Sequence, residues 1–450
     1  MESQRLLHST QALTAREAGL DFRPKSSLAA VVLAAALTAV ATAGLASLPT
    51  ASYAKDAASG NGATGAEFSA ERLARIKPAM QQLIDQKIFP GAVTLVSHHG
   101  KVVHFESVGF LDDAKTKPIA KDSIFRLASM TKPIVTVAAM MLVEQGKMVL
   151  HDPISKWLPE LKDLKVETPE GDVAPARPVL VHDVMRHTAG FVYGGAAKSP
   201  RIKELYQRGN IESAEQDITG DEMLKALGKI PLAYQPGTTW FYSISVDVLG
   251  LLIERVENKP LDRVLKDLLF DPLGMTDTAF WVPADKTNRI AEAYDADPLK
   301  ANMLKAYRIT SDPSGKSYFK GGAGLVGTAE DYLKFGQMMV NGGELNGKRF
   351  LSSKTVDFML SDHTKGMGGS TIATTGPGYG FGLGFGVRLD QGNAYVPGTP
   401  GDAMWAGAWG TSFWIDPKER LVGILMAQSP SNRYQTRMVY KNLVYGALSD

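Results

Sequence analysis

The strongest hydrophobic pattern in the chain lies just after Ser129. Apolar side chains recur there three and four positions apart, at Ile134, Val137, Ala138, Met141 and Leu142. This spacing places them on one face of a helix. Pro133 suits the first turn of such a helix, and Gly146 suits its end. The pattern therefore predicts a helix that begins near Ser129 and buries one face.

Shorter apolar runs near both ends of the chain predict strands. Residues 92–96 and 102–105 flank His98-His99-Gly100, which is typical of a hairpin turn, and two further runs flank residues 416–419. The middle of the chain indicates helices and long loops instead. We therefore predict an α+β fold, with an antiparallel sheet flanked by helices in a domain of residues 67–155 and 331–450. Residues 156–330 are predicted to form an all-helical inserted domain.

Two of the predicted elements contain proline or glycine at positions that affect their structure. Helical spacing from Ser69 to Lys87 predicts a helix that Pro78 should bend or break. Alternate glycines from Gly380 to Gly386 predict a strand with closely packed neighbours. A nucleotide site is rejected there, because no helix begins at these glycines and no βαβ unit surrounds them.

The first 54 residues are predicted to be a signal peptide. Arg23 and Lys25 precede a nearly continuous apolar run over residues 28–48, and small residues suit cleavage after Ala54. Residues 55–66 are small and polar, which predicts a flexible spacer. We therefore expect an exported protein, periplasmic or secreted. Because the apolar run is about long enough to span a bilayer, an uncleaved membrane anchor is the alternative.

Charge and composition argue against several partners and cofactors. Without residues 1–54, 45 of the 49 Lys and Arg and 44 of the 47 Asp and Glu are left. This balance gives no electrostatic reason to bind nucleic acid or an anionic membrane. With no Cys, eight His and no H-E-x-x-H sequence, we predict no metal site. No cofactor is predicted, and the sequence does not indicate an oligomeric state.

Ser129 and Lys132 are the candidate chemical groups at the start of the predicted helix. Residues three positions apart are helix neighbours, so the Lys132 amine can reach the Ser129 oxygen. The helix dipole favours an oxyanion there and lowers the pKa of an amine, which can then remove the serine proton. An ordinary helix start capped by Ser is the alternative. Two other S-x-x-K sequences are set aside. Residues 52–55 overlap the predicted cleavage site, and residues 317–320 are not followed by an apolar helical run.

Two later segments supply further candidates. Tyr242 precedes an apolar helical run, and it acts as a base near neutral pH only if a cation such as Lys132 stabilises its phenolate. Packing in the core is the alternative for this Tyr. Small residues at 406–408 would let a substrate approach the main chain, so that the N–H groups of Ala408 and Ser129 could form an oxyanion hole. A tight strand corner is the alternative for that segment.

Five motifs in this order resemble the serine β-lactamase and penicillin-binding-protein-like superfamily, in particular the class C-like branch that includes the family VIII esterases. They are Ser129-x-x-Lys132, His182-Asp-Val-Met-Arg-His187-Thr-Ala-Gly190, Pro236-Gly237-x-x-Trp240-x-Tyr242-Ser243, Gly321-Gly-Ala-Gly-Leu-Val-Gly-Thr328 and Trp405-Ala-Gly407-Ala408-x-Gly410-Thr411. The resemblance covers nearly all of residues 70–445. It implies a β-lactamase/transpeptidase-like fold.

The resemblance also implies a role for each site residue. Ser129 would be the nucleophile, and Lys132 and Tyr242 would share the role of base. The amides of Ser129 and Ala408 would form the oxyanion hole. His187, which a search for a catalytic triad would select as base, would belong to a structural turn.

Two departures from the β-lactamase motifs favour an esterase. The second motif of class C β-lactamases is Y-x-N, and this chain has Ile244 in place of its Asn. The third motif is K-T-G, and this chain has Trp405 and Ala406 in place of its Lys and Thr. Because Lys and Thr would bind the carboxylate of a β-lactam, we predict hydrolysis of a neutral carboxylic ester through an acyl-serine. Trp405 and Gly407 would contact this small-molecule substrate, with Tyr193 as a further wall residue.

Two other functions stay open at the level of sequence. One is a β-lactamase or a D-alanyl-D-alanine peptidase or transpeptidase, which would act on an amide with the same groups. The other is a non-catalytic penicillin-binding-like sensor. Residues for both proton transfer and oxyanion stabilisation favour an enzyme over the sensor.

Overall fold

The computed structural model describes residues 67–212, 218–311 and 318–449, and seven strands within them form one sheet. The strands are β1 (Gly91–His98), β2 (Lys101–Gly109), β3 (Tyr379–Phe381), β4 (Gly386–Arg388), β5 (Ala403–Ala406), β6 (Ser412–Asp416) and β7 (Leu421–Ala427). Their order is β3-β4-β5-β6-β7-β1-β2, and all neighbours are antiparallel. The predicted antiparallel sheet built from both ends of the chain is thus confirmed.

Helices of seven or more residues among the described residues lie along most of the chain. They are α1 (Ile76–Asp85), α2 (Thr131–Glu144), α3 (Pro200–Arg208), α4 (Gly220–Leu227), α5 (Ser245–Glu257), α6 (Lys300–Ala306), α7 (Ala329–Val340), α8 (Ser353–Met359) and α9 (Arg433–Tyr445). Shorter α-helical segments are Ala70–Leu73, Val181–Met185, Leu261–Leu265, Asp271–Leu273 and Ile372–Thr375. In the part of the chain described, no helix combines the length and apolarity needed to cross a membrane.

Both faces of the sheet are buried under hydrophobic cores, and successive side chains of a strand point to opposite faces. In β7, Val422 and Ile424 join the larger hydrophobic core, whereas Leu421 and Leu425 join a second core on the other face. Helix α7 packs on the first face, and α1 and α9 pack on the second. The sheet therefore separates two apolar layers.

The helix predicted after Ser129 is α2, which follows a 3-10 turn over Ala128–Met130. All residues from Thr131 to Leu142 are buried, so the prediction of a single buried face was too narrow. The helix packs against α5 and joins the larger core on its other sides. Gly146 follows its end with a φ of +69°, a left-handed conformation that often ends helices.

The helix predicted from Ser69 to Lys87 breaks at Ala74 and Arg75 rather than at Pro78. Pro78 is the third residue of α1. A backbone N–H in that position has no partner inside a helix, so the proline ring displaces no hydrogen bond.

The glycine-rich segment from Gly380 to Gly386 is a hairpin rather than the single strand that was predicted. Its arms are β3 and β4, which pair antiparallel. Gly384 lies between them with a φ of +83°, which a strand residue does not adopt. A Cβ atom at Gly384 would also lie 2.8 Å from the side chain of Thr136 in α2. The turn therefore needs glycine both for its conformation and for its contact with α2.

The region of the predicted insertion, residues 156–330, contains α3 to α6. It also contains a short ribbon, Val166–Thr168 paired with Gly171–Val173, which an all-helical domain does not include. The domain boundaries at residues 155 and 330 stay predictions. The predicted signal peptide (1–54) and the predicted spacer (55–66) lie outside the described residues.

Candidate active site

Ser129 lies in the 3-10 turn that leads into α2. The preceding residue, Ala128, has a φ of +46°, an uncommon conformation for a residue with a side chain. Such local strain is often found where a chain turns to present a reactive group. The Ser129 side chain is largely buried but borders a cavity, so a small molecule can reach it.

Lys132 is fully buried beside Ser129. Its Nζ donates hydrogen bonds to Ser129 Oγ (3.2 Å), to Tyr193 Oη (3.0 Å) and to the Gly322 carbonyl oxygen (2.7 Å). Burial lowers the pKa of Lys132 to about 8, although the charge of Asp247 acts in the opposite direction. A substantial fraction of this amine is thus neutral in mildly alkaline solution.

Asp247 is a part of the site that the sequence analysis missed. It lies in the first turn of α5, and its Oδ1 accepts a hydrogen bond of 3.1 Å from the Gly322 N–H. Gly322 therefore contacts Asp247 through its N–H and the Lys132 amine through its carbonyl oxygen. The available signal was an acidic residue inside the apolar run from Val246 to Ile253.

Tyr242 donates a hydrogen bond of 2.8 Å to Ser129 Oγ. Lys132 Nζ lies over its ring, 4.7 Å from the centroid, rather than beside its oxygen. Burial raises the pKa of Tyr242 well above its ordinary value. The side chain is therefore a neutral phenol in the resting site, and the stabilised phenolate considered from sequence is not the favoured form.

Tyr193 has a different place from the one predicted. We expected it as a wall of the substrate pocket, but it is not among the residues that line the cavity beside Ser129. Its hydroxyl instead accepts the hydrogen bond from Lys132.

His187 lies behind Tyr242 and not beside the serine. Its φ is +59°, its Nδ1 is 3.2 Å from Ser243 Oγ, and its ring packs edge-on against Tyr242 at 4.9 Å. These contacts fit the structural turn implied by the resemblance. Trp405 packs against the same phenol ring at 5.4 Å, so aromatic side chains hold Tyr242 in place from two directions.

The turn between β5 and β6 lies against the segment that carries Ser129. Gly407 fits there because a Cβ atom would lie 2.4 Å from the Leu127 carbonyl oxygen. Thr411 Oγ1 donates to the same oxygen over 3.3 Å. The N–H groups of Ser129 and Ala408 donate no hydrogen bond to any other described residue. Two free donors of this kind are what an oxyanion hole requires.

A cavity of about 440 Å³ extends from Ser129 and Ala408 between the sheet and α9. Trp405 and Gly407, which were predicted to contact the substrate, are among its lining residues. Most of the other lining side chains are apolar or aromatic, among them Ile372, Tyr395, Val396, Phe413, Trp414, Tyr434 and Met438. An apolar acyl or alcohol group would fit this surface. The roles assigned to the individual site residues stay predictions.

Comparison with known proteins agrees with the fold and the motifs. The sequence profile of the Beta-lactamase family matches residues 76–445. Esterase EstB of Burkholderia gladioli is 30% identical over 82% of this chain and 92% of its own length. The lovastatin esterase of Penicillium rubens is 28% identical over 76% of this chain and 90% of its own.

Solved structures show the same similarity. The structure of EstCE1, described as a hydrolase with promiscuous acyltransferase activity, superposes with a TM-score of 0.71 at 28% identity, over 84% of this chain and 99% of that one. Simvastatin synthase from Aspergillus terreus covers the same shares of the two chains at 21% identity and a TM-score of 0.67, and it supports the fold alone. The family match across the ordered motifs and the fold establishes that this chain belongs to the beta-lactamase family.

Proposed function

We propose that the protein is a serine hydrolase that cleaves carboxylic esters through an acyl-serine intermediate. One observation carries the proposal: Ser129 Oγ is hydrogen-bonded to both Lys132 Nζ and Tyr242 Oη, beside two free N–H groups at an apolar cavity. Nucleophile, base and oxyanion donors are the parts that acyl transfer needs. The relatives named esterases support an ester as the substrate.

In the first step, neutral Lys132 takes the Ser129 proton while Oγ bonds to the ester carbonyl carbon. The carbonyl electron pair moves to the oxygen, where the N–H groups of Ser129 and Ala408 stabilise the negative charge. The tetrahedral intermediate then expels the alkoxide, which receives the proton that Lys132 gained. Tyr242, a neutral phenol in contact with Ser129, is placed to relay this proton.

In the second step, a water molecule loses a proton to Lys132 and attacks the acyl carbon. The acid leaves, and the proton returns from Lys132 to Ser129 Oγ. Lys132 can serve both steps because the Gly322 oxygen only accepts hydrogen bonds and fixes the position of one N–H in either protonation state. An alcohol or amine in place of water would make the product of an acyl transfer.

The test is a substrate panel on the purified protein and on Ser129→Ala. Short and longer p-nitrophenyl esters, nitrocefin and a D-alanyl-D-alanine peptide are compared by kcat/KM. We expect turnover of the esters, and a loss of about 10³-fold or more in Ser129→Ala, since the nucleophile is removed. Ser361→Ala, the same exchange at a residue that does not line the cavity, serves as the matched control and should keep the wild-type activity.

Hydrolysis of β-lactams is the second candidate, and one observation favours it. Arg433, Arg437 and Lys441 line the cavity, whereas no Asp or Glu is among its described lining residues. These cations could attract a carboxylate even though Trp405 stands at the position expected for Lys. A higher kcat/KM for nitrocefin than for every ester would favour this candidate, and unchanged ester turnover in Ser129→Ala would refute the serine mechanism.

A further inference from the structure

The turn from Gly407 to Thr411 is hydrogen-bonded to Arg437, a residue of α9. Arg437 Nη2 donates to the Gly407 carbonyl oxygen and, over 3.1 Å, to the Thr411 carbonyl oxygen. The guanidinium thus joins the two ends of the turn. The Gly407 oxygen also accepts the Gly410 N–H over 3.1 Å, which closes the turn.

Arg437 donates to the carbonyl oxygen of the peptide group whose N–H is the second oxyanion donor. The Gly407 carbonyl and the Ala408 N–H belong to the same peptide group, and all described peptide bonds are trans. In a trans peptide group the C=O and the N–H point in opposite directions. When Arg437 holds the oxygen on one side, the Ala408 N–H is directed to the other side.

The electrostatics act in the same direction as the geometry. A cation at a carbonyl oxygen draws electron density from the peptide group and makes its N–H a stronger donor. Within the described part of the chain, no carboxylate forms an ion pair with Arg437, and its buried Nε has no hydrogen-bond partner. Its charge is therefore compensated by the carbonyl groups of this turn and by the ring of Tyr434, whose centroid lies 5.7 Å from the guanidinium carbon.

Burial and the neighbouring charge of Arg433 lower the pKa of Arg437 to about 9. The guanidinium consequently keeps its charge at neutral pH. Gly407 lies against the Leu127 carbonyl oxygen, so a shift of the turn would also disturb the segment that carries Ser129.

We propose that Arg437 is a positioning residue that orients and polarises the Gly407–Ala408 peptide group and so sets the strength of the oxyanion hole. The inference rests on the proposed acyl-serine chemistry. Arg437 lines the cavity, but with a neutral ester it acts through the peptide group and is assigned no contact with the substrate.

The test compares Arg437→Met, Arg437→Gln and Arg437→Lys on a short p-nitrophenyl ester. Removal of a whole oxyanion donor lowers kcat by about 10²- to 10³-fold in serine hydrolases, so weakening one donor should lower kcat by about 10- to 100-fold. We expect this loss in Arg437→Met and Arg437→Gln with KM changed less than about threefold, because the oxyanion exists only in the transition state. Arg437→Lys keeps a cation and should recover most of the lost kcat.

Arg349→Met is the matched control. Arg349 also donates to two main-chain carbonyl oxygens, those of Gly342 (3.0 Å) and Leu351 (3.1 Å), but it is not among the lining residues of the cavity. This variant should keep kcat. If Arg349→Met loses as much kcat as Arg437→Met, the hydrogen bonds from an arginine to the carbonyl groups of a turn have only a structural effect, and the proposal is wrong.

Two inhibitors separate transition-state stabilisation from a general change of the pocket. A trifluoromethyl ketone forms a tetrahedral adduct with an oxyanion, and the matched methyl ketone binds largely without one. In Arg437→Met and Arg437→Gln, the affinity for the trifluoromethyl ketone should fall in parallel with kcat/KM, whereas that for the methyl ketone should not change. Equal losses for both ketones, or wild-type kcat in Arg437→Gln, would overturn the proposal, and the Gln variant decides the question if the Met variant does not fold.

The rate of labelling by a fluorophosphonate distinguishes failure of the Arg437 proposal from failure of the proposed ester hydrolysis. Labelling uses the same serine and the same oxyanion hole but does not require turnover of a carboxylic ester. A protein that is labelled at Ser129 without turning over esters would refute ester hydrolysis, and the effect of the Arg437 variants on the labelling rate would still test the role of Arg437.

Discussion

At the scale of single residues, the behaviour of Lys132 follows from where its amine lies. Sequence places it one helical turn from Ser129, and this local spacing was enough to predict that the two groups meet. The Gly322 oxygen and Asp247 come from distant parts of the chain, so no local pattern could place them. Complete burial lowers the pKa of the amine, and the additional lowering by the helix dipole stays a prediction.

Ester hydrolysis should therefore depend on pH through Lys132. The neutral amine is the base, and its pKa is lowered to about 8, so the active form is lost as the pH falls through 8. We expect kcat/KM to fall about tenfold per pH unit below that value and to level off up to about pH 9, above which Arg437 loses its charge. A pH–rate profile between pH 5.5 and about 9.5 measures this.

Asp247→Asn provides the control for the pH prediction. The negative charge of Asp247 raises the pKa of Lys132, and Asn can still accept the Gly322 N–H. Removal of the charge should shift the profile to lower pH. A profile that is flat between pH 6 and 9, or that shifts to higher pH in the variant, would contradict Lys132 as the base.

At the scale of elements, a buried charge cluster connects β4, the residue before β5, and α9 beside the cavity. Asp402 Oδ2 accepts from Arg388 Nε (2.8 Å) and from Lys441 Nζ (3.0 Å). Asp402 and Arg388 are fully or almost fully buried. Two buried cations thus share one carboxylate, and Tyr379 Oη completes the cluster.

Asp402→Ala should strongly destabilise the protein. Loss of the carboxylate leaves Arg388 and Lys441 buried without a counter-ion, and breaking a buried ion pair from one side typically lowers the free energy of unfolding by about 3 to 5 kcal/mol. Asp357→Ala, which removes an exposed partner of Lys354, should change it by less than about 0.5 kcal/mol. Urea unfolding followed by circular dichroism compares the two, and similar values would show that the cluster does not support this edge of the sheet.

Predictions of single elements agree with the structure where they rest on a local sequence pattern. The hairpin through His99 and Gly100 has both residues at positive φ, 49° and 76°, as the sequence of the turn indicated. The hairpin from Gly380 to Gly386 was missed because alternate glycines carry no side-chain pattern that separates a strand from a turn. The need for glycine at position 384 depends in part on the Thr136 side chain, which lies far earlier in the chain.

At the scale of the whole molecule, the site is assembled from three distant segments. The start of α2 supplies Ser129 and Lys132, the residues before α5 supply Tyr242, and the turn after β5 supplies the Ala408 N–H. The sequence identified each segment, and the family resemblance joined them. Arg437 was missed, although Arg433, Arg437 and Lys441 recur every four residues and so share one face of α9.

The central claim is that Ser129 is the nucleophile of an acyl-transfer reaction. Labelling with a fluorophosphonate tests it most directly, because the reagent stops after the first step and leaves a stable adduct on the attacking oxygen. Intact mass and peptide mapping of the labelled protein should show one phosphonyl group, on the peptide that contains Ser129, and none in Ser129→Ala. An adduct on another residue, or equal labelling of Ser129→Ala, would contradict the account.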